Sequence, residues 1–115
     1  MKVYSIGIFV YNGLYENSYM ASFDVDVSDI PESAKKLTED TLRTCSELFV
    51  SRMSILDTNK HLVFEYDKYF VYSLLRNGIC VIMICSIGYP KDIAEGLLDT
   101  HLMNFLLDWK TNLNL

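Results

Sequence analysis

Two stretches of the chain are apolar at nearly every position, and this pattern predicts two central strands of a sheet. They run from Val3 to Tyr11 and from Ile79 to Cys85. A strand with one wetted face alternates apolar and polar residues, whereas a strand covered on both faces is apolar throughout. The two segments therefore predict a sheet whose middle is covered by helices on both sides.

Three further segments have the composition of strands nearer the edges of that sheet. Ser18 to Val27 alternates, as expected for an edge strand with one wetted face. Its predicted apolar face consists of Tyr19, Ala21, Phe23, Val25 and Val27. Leu62 to Tyr66 and Tyr69 to Leu75 are rich in β-forming residues and are predicted to form a hairpin. Asn77-Gly78 then provides a tight turn into the second central strand.

Apolar residues spaced by threes and fours predict two amphipathic helices. The first follows Pro31 and runs to about Arg52, and Asp29 is expected to cap it. Its apolar stripe, expected to face the core, consists of Ala34, Leu37, Thr41, Leu42, Cys45, Leu48 and Phe49. The second helix begins at Pro90, and its period continues to Trp109. The prediction is a single α/β (α+β) domain covering residues 1–115, with element order β-β-α-β-β-β-α.

Composition narrows the class of protein. Half of the 115 residues are hydrophobic and 22% are charged, which predicts a folded domain. The formal charge of −5 disfavours nucleic acid as a partner. Three cysteines without regular spacing indicate free thiols and the cytosol. The longest uncharged apolar stretch, Ile79 to Tyr89, is about half of the ~20 residues that a membrane-spanning helix needs, so no spanning segment is expected.

The sequence offers little for catalysis or for metal binding. Cys80 and Cys85 are five residues apart in a predicted strand, so their side chains are expected on opposite faces and cannot share a metal ion. Cys45 is interpreted as core packing. The two histidines, His61 and His101, come from different elements, and His101 is expected on the core-facing side of its helix. No catalytic residue, metal site or cofactor is predicted, and we expect a binding protein rather than an enzyme.

Two clusters of residues have both a structural and a functional interpretation. Asp24, Asp26 and Asp29 form either a cation site or a solvated edge that discourages aggregation, and the solvated edge is favoured. Aromatic residues crowd the predicted hairpin: Phe64, Tyr66, Tyr69, Phe70 and Tyr72. These rings pack a core and cross-strand pairs, or some of them line an apolar groove beside the first helix. The two interpretations of the rings are weighed equally.

The element order and several motifs resemble the longin domain of R-SNARE proteins and related trafficking subunits. The opening strand Val-Tyr-Ser-Ile-Gly-Ile-Phe shares this resemblance, and the second half of the chain is more specific. Its motifs are Asn59-Lys60-His61-Leu62, Tyr69-Phe70-Val71-Tyr72, Asn77 to Cys85 and Tyr89 to Ala94. Gly78 to Cys85 followed by Tyr89-Pro90-Lys91 is most similar to the R-SNARE of endoplasmic-reticulum-to-Golgi transport, and the prenylated R-SNARE longin is nearly as similar. The resemblance implies a longin, profilin-like fold with a mixed, mainly antiparallel sheet of order 2-1-5-4-3.

The resemblance also implies a function. In longin domains, a groove between the first helix and the third strand accepts the protein's own SNARE segment or a vesicle coat subunit. By position, the groove residues of this chain would be Leu37, Thr41, Leu48, Leu62, Phe64 and Tyr66. The expected role is regulation of SNARE-mediated fusion and sorting on the cytosolic face of endoplasmic reticulum, Golgi or transport-vesicle membranes.

Departures from the family pattern leave a second function open. A third helix, a heptad-patterned SNARE motif and a membrane anchor are not present in the chain, and the segment 51–59 is longer than the usual link. The chain is therefore interpreted either as an excised domain of a membrane-anchored R-SNARE or as a free-standing longin-like protein. A free-standing protein would be a constitutive small subunit of an adaptor or tethering complex, whose partner covers exposed apolar sheet.

Overall fold

A five-stranded sheet forms the middle layer of the molecule. The computed structural model describes the backbone of residues 1–12 and 17–113, and the side chains as far as residue 108. The strands are β1 (Val3–Asn12), β2 (Asn17–Val25), β3 (His61–Tyr66), β4 (Tyr69–Arg76) and β5 (Ile79–Ser86). Helices α1 (Lys35–Ser51) and α2 (Lys91–Leu113) cover its two faces. Short 3-10 turns lie at Glu32–Ala34 and Ile55–Asp57.

The strand order is β2-β1-β5-β4-β3, which confirms the prediction. All four pairs of neighbouring strands are antiparallel, and the parallel pairing in the described residues is a single bridge between Thr58 and Leu75. Asn77 and Gly78 turn β4 into β5 with positive φ angles of 56° and 75°, which asparagine and glycine tolerate best. The two strands that are apolar throughout, β1 and β5, occupy the middle as predicted.

Two apolar cores lie on opposite sides of the sheet, and β5 supplies alternate residues to both. Its odd-numbered residues join Leu98 and Leu102 of α2, and its even-numbered residues join Leu42 of α1. Cys80 and Cys85 consequently lie on opposite faces, as predicted. Burial raises the pKa of each of these two thiols to about 12, because the thiolate would lose its hydration.

The predicted apolar face of β2 is correct at one end of the strand and wrong at the other. Phe23 and Val25 pack against the core beneath α1. Earlier in the strand, however, Tyr19 and Ala21 are exposed, and Met20 packs against that core. The cause is a β-bulge in the pairing with β1, which skips Ala21 and shifts the alternation by one residue.

Helix α1 begins later than predicted, and Asp29 does not cap it. The chain first makes a 3-10 turn, and the helix then begins at Lys35 without a side-chain cap. Asp29 instead accepts a hydrogen bond of 2.5 Å from the amine of Lys2, and Asp26 lies 3.5 Å from the same amine. The carboxylate is thus occupied by a partner distant in sequence, which ties the start of β1 to the segment before α1.

The buried side of α1 is rotated from the predicted stripe. Leu42 is buried as expected, but Leu37 and Leu48 are 72% and 51% exposed, and Thr41 is exposed as well. Ser46 takes a place on the buried side, where its hydroxyl donates a hydrogen bond of 2.9 Å to the carbonyl oxygen of Leu42. Because the helix satisfies this hydroxyl internally, a serine can face the sheet while two leucines remain outside.

Candidate protein-binding groove

A shallow groove lies between the second half of α1 and the edge strand β3. Its volume is about 260 Å³, and its lining consists of Cys45, Leu48, Phe49, Arg52, Phe64, Glu65 and Tyr66. The strand side is held in place by the hairpin to β4, whose two-residue turn places Asp67 at a positive φ of 53°. The groove therefore joins a helix side to the last strand of the sheet.

Three of the seven residues that line the groove are aromatic. Phe64 stacks on Phe49 with ring centroids 5.4 Å apart, and Tyr66 meets Phe49 edge to face at 6.1 Å. Phe49 is half-buried and packs against the core beneath α1. Phe64 and Tyr66 are 40% and 53% exposed. Phe49 thus fixes two rings that still present apolar surface to solvent.

The structure brings together three of the six residues predicted for the groove. Leu48, Phe64 and Tyr66 line it. Leu62, at the other end of β3, is half-buried and packs against the core beneath α1. Leu37 and Thr41 lie earlier on the exposed side of α1, and the Thr41 hydroxyl donates a hydrogen bond of 2.8 Å to the Leu37 carbonyl. From Leu37 to Leu48 the helix rises roughly 16 Å, so these two earlier residues lie outside the groove itself.

Four lining residues were absent from the sequence prediction of the groove: Cys45, Phe49, Arg52 and Glu65. Phe49 was assigned to the core, and periodicity cannot show that one ring contacts both a core and a surface groove. Arg52 is the C-cap of α1 and lies four residues after Leu48, so helical spacing could have indicated it. Arg52 gives the groove a positive charge. Glu65 borders the groove from β3, but strand alternation directs its side chain to the α2 face, beside Phe70 and Lys91.

Cys45 lies in the groove as a half-buried side chain. Burial raises the pKa of this thiol, because desolvation disfavours the thiolate. A protonated thiol packs as a small apolar group and is a poor nucleophile. Among the described residues, no group of three histidine, cysteine or acidic side chains could hold a metal ion.

The two histidines lie outside the groove. His61 Nε2 is 2.8 Å from Asp99 of α2, and its Nδ1 is 3.7 Å from Glu95. This contact connects the start of β3 to the helix on the other face of the sheet. His101 is half-buried on α2.

The described portion of the chain contains no helix long and apolar enough to span a membrane.

Comparison with known families agrees with this architecture. The family model for longin, a regulated-SNARE-like domain, matches residues 27–113, which include both helices, the strands β3 to β5 and the whole groove. A comparison with curated proteins finds no match. Longin is a non-catalytic trafficking fold, and the observed strand order, with one helix on each face of the sheet, is consistent with it. The chain therefore belongs to the longin family of regulated-SNARE-like domains.

Proposed function

We propose that this domain regulates SNARE-mediated vesicle fusion and sorting in transport between the endoplasmic reticulum and the Golgi. It does so by binding a polypeptide segment in the groove between α1 and β3, on the cytosolic face of these membranes. The observation that carries the proposal is the exposed surface of Leu48, Phe64 and Tyr66, supported from beneath by Phe49. Membership in the regulated-SNARE-like family supports two kinds of ligand: the protein's own SNARE segment in cis, or a vesicle coat or tethering subunit.

The groove has the surface expected for reversible binding. Full burial of a large apolar side chain contributes about 1.5–3 kcal/mol, so covering the exposed half of each of three side chains gives roughly 2–4 kcal/mol. A micromolar complex needs about 8 kcal/mol, and ordering the ligand has its own cost. Contacts beyond the groove are therefore required. Leu37 and Thr41 share the exposed side of α1 with Leu48, so a ligand that continues along the helix would contact them.

Titration of the ¹⁵N-labelled domain with a synthetic R-SNARE-motif peptide, and separately with a coat-subunit fragment, tests the proposal. Amide shifts are expected at residues 45–51 of α1, at its C-cap Arg52 and along β3. Leu48→Asp should abolish these shifts without lowering the melting temperature, because Leu48 is exposed. Leu107→Asp, on the other side of the sheet, is the matched control. Shifts confined to the α2 side would refute the assignment of the groove.

A second candidate function is a constitutive small subunit of an adaptor or tethering complex. It is favoured by apolar side chains on the α2 side of the sheet, where Val63 and Met103 are 49% and 54% exposed. A permanent partner would cover this surface as well as the groove. Dilution distinguishes the two functions: a regulatory ligand dissociates during size-exclusion chromatography, whereas a constitutive partner co-elutes with the domain.

A further inference from the structure

We propose that α2 binds an amphipathic α-helix of another protein, and that lysine or arginine residues flank the apolar side of this partner helix. The proposed surface, named here the outer face of α2, consists of Ile93, Gly96, Thr100, Met103 and Leu107. It lies opposite the side of α2 that packs on the sheet, and it is separate from the groove between α1 and β3, which is on the other face of the sheet. This second surface goes beyond the proposed function of the groove.

The spacing along the outer face is that of a helix-packing seam. Its residues follow one another at intervals of three and four, so that the row repeats every seven residues. The row that faces the sheet consists of Ala94, Leu98 and Leu102, all buried. On the outer face, Ile93, Met103 and Leu107 are 55%, 54% and 55% exposed. Helix α2 is thus apolar on two opposite sides, whereas a surface helix covered on one side has a polar outer side.

Gly96 supplies a second, independent argument. Glycine within a helix is less favourable than alanine, because it loses more backbone freedom on folding. A Cβ added at Gly96 would have no atom within 4 Å. Packing within the described part of the chain therefore does not require glycine at this position. Together with Thr100, one turn later, Gly96 leaves a shallow notch between Ile93 and Met103. The notch allows a partner helix to approach the backbone of α2 closely.

The acidic residues of α2 favour a partner helix with basic side chains. From Lys91 to Asp108, α2 carries four acidic residues and one lysine. Asp92, Asp99 and Asp108 are exposed, and Asp99 also accepts a hydrogen bond from His61. Glu95 is half-buried beside the same histidine. A second copy packed antiparallel about Thr100 would bring two Asp99 side chains to the same side of the seam, and the formal charge of −5 on each copy opposes such a pair. Lysine or arginine beside a partner's seam would instead meet these acids favourably.

A designed helical peptide is the probe for this surface. Between Ile93 and Leu107 the helix rises roughly 21 Å, so a peptide of about 18–21 residues spans the row. It carries leucine and alanine at the seam positions and lysine at the bordering positions, and a control peptide carries glutamate at the bordering positions. Titration of the ¹⁵N-labelled domain with the lysine peptide should shift the amide signals of Ile93, Gly96 and Met103. The glutamate peptide should bind at least tenfold more weakly.

Two variants of Gly96 separate a role in binding from a role in folding. Gly96→Leu fills the notch and should weaken binding of the lysine peptide at least tenfold, whereas Leu48→Asp in the groove should leave it unchanged. Gly96→Ala should raise the melting temperature of the free domain. A lower melting temperature would show that the fold itself needs glycine and would count against the proposal. Equal binding of the two peptides, shifts confined to the groove, or dimerisation of the free domain in sedimentation experiments would overturn it.

Discussion

Shortening Leu48 should weaken binding in the groove while leaving the fold intact. Leu48 is 51% exposed, and full burial of a leucine side chain is worth about 1.5–3 kcal/mol. A ligand that covers the exposed half therefore gains about 1 kcal/mol or slightly more from this side chain, and Leu48→Ala loses most of that gain. A free energy of 1.4 kcal/mol corresponds to a tenfold change in Kd. The expected result is a Kd raised about threefold to tenfold.

Fluorescence anisotropy with a labelled R-SNARE-motif peptide measures this change, and thermal unfolding checks the stability of the variant. Leu107→Ala is the matched control, because it removes the same atoms from a leucine that is 55% exposed on the other side of the sheet. The reasoning fails if Leu48→Ala binds within twofold of the unchanged protein. It fails equally if the control loses as much affinity.

Three further predictions concern the interior. Gly7→Ala should lower the free energy of unfolding by about 1–3 kcal/mol in urea titrations. A Cβ at this position would lie 2.9 Å from the ring of Phe9, which is 2% exposed and cannot move aside. An unchanged free energy of unfolding would contradict this. Ser73→Ala should raise the free energy of unfolding by about 1 kcal/mol, since the buried Ser73 hydroxyl has no hydrogen-bond partner among the described residues. A lower free energy of unfolding would show that this hydroxyl does form a hydrogen bond. Cys80 and Cys85, whose pKa values are raised from 9.0 to about 12, should resist thiol reagents at pH 8 in the folded protein. The unfolded state should ionise first, so the free energy of unfolding should decline from about pH 9 to pH 12, and a flat profile would refute the assigned burial.

The two proposed binding surfaces lie on opposite faces of the sheet. The groove is formed by α1 and β3, and the outer face of α2 points away from the other face. Distant surfaces without shared contacts contribute independently to stability and binding. A ligand in the groove and a helix on α2 are therefore expected to bind at the same time, without changing each other's affinity.

Local patterns in the sequence determined most of the architecture. The segments that became β1 and β5 are apolar at both odd and even positions, and a strand of that kind is stable only where both faces are covered. The same alternation predicted that Cys80 and Cys85 lie on opposite faces, which the two cores confirm. The presence of both helices also agrees with the prediction, and the strand order agrees with the one that the resemblance to longin domains implied.

Tertiary contacts decided the surfaces on which function depends. The bulge at Ala21 changed which residues of β2 face the core. Asp29 binds Lys2, and α1 begins only at Lys35, so Asp29 does not cap the helix. In α1, Ser46 faces the sheet, and Leu48 lies on the exposed side, where it lines the groove. Periodicity shows that a helix has an apolar side, but the rotation of that helix on the sheet depends on close packing between residues far apart in sequence. For that physical reason the resemblance to longin domains implied a groove between α1 and β3 and three of its lining residues, whereas the other four required the folded structure.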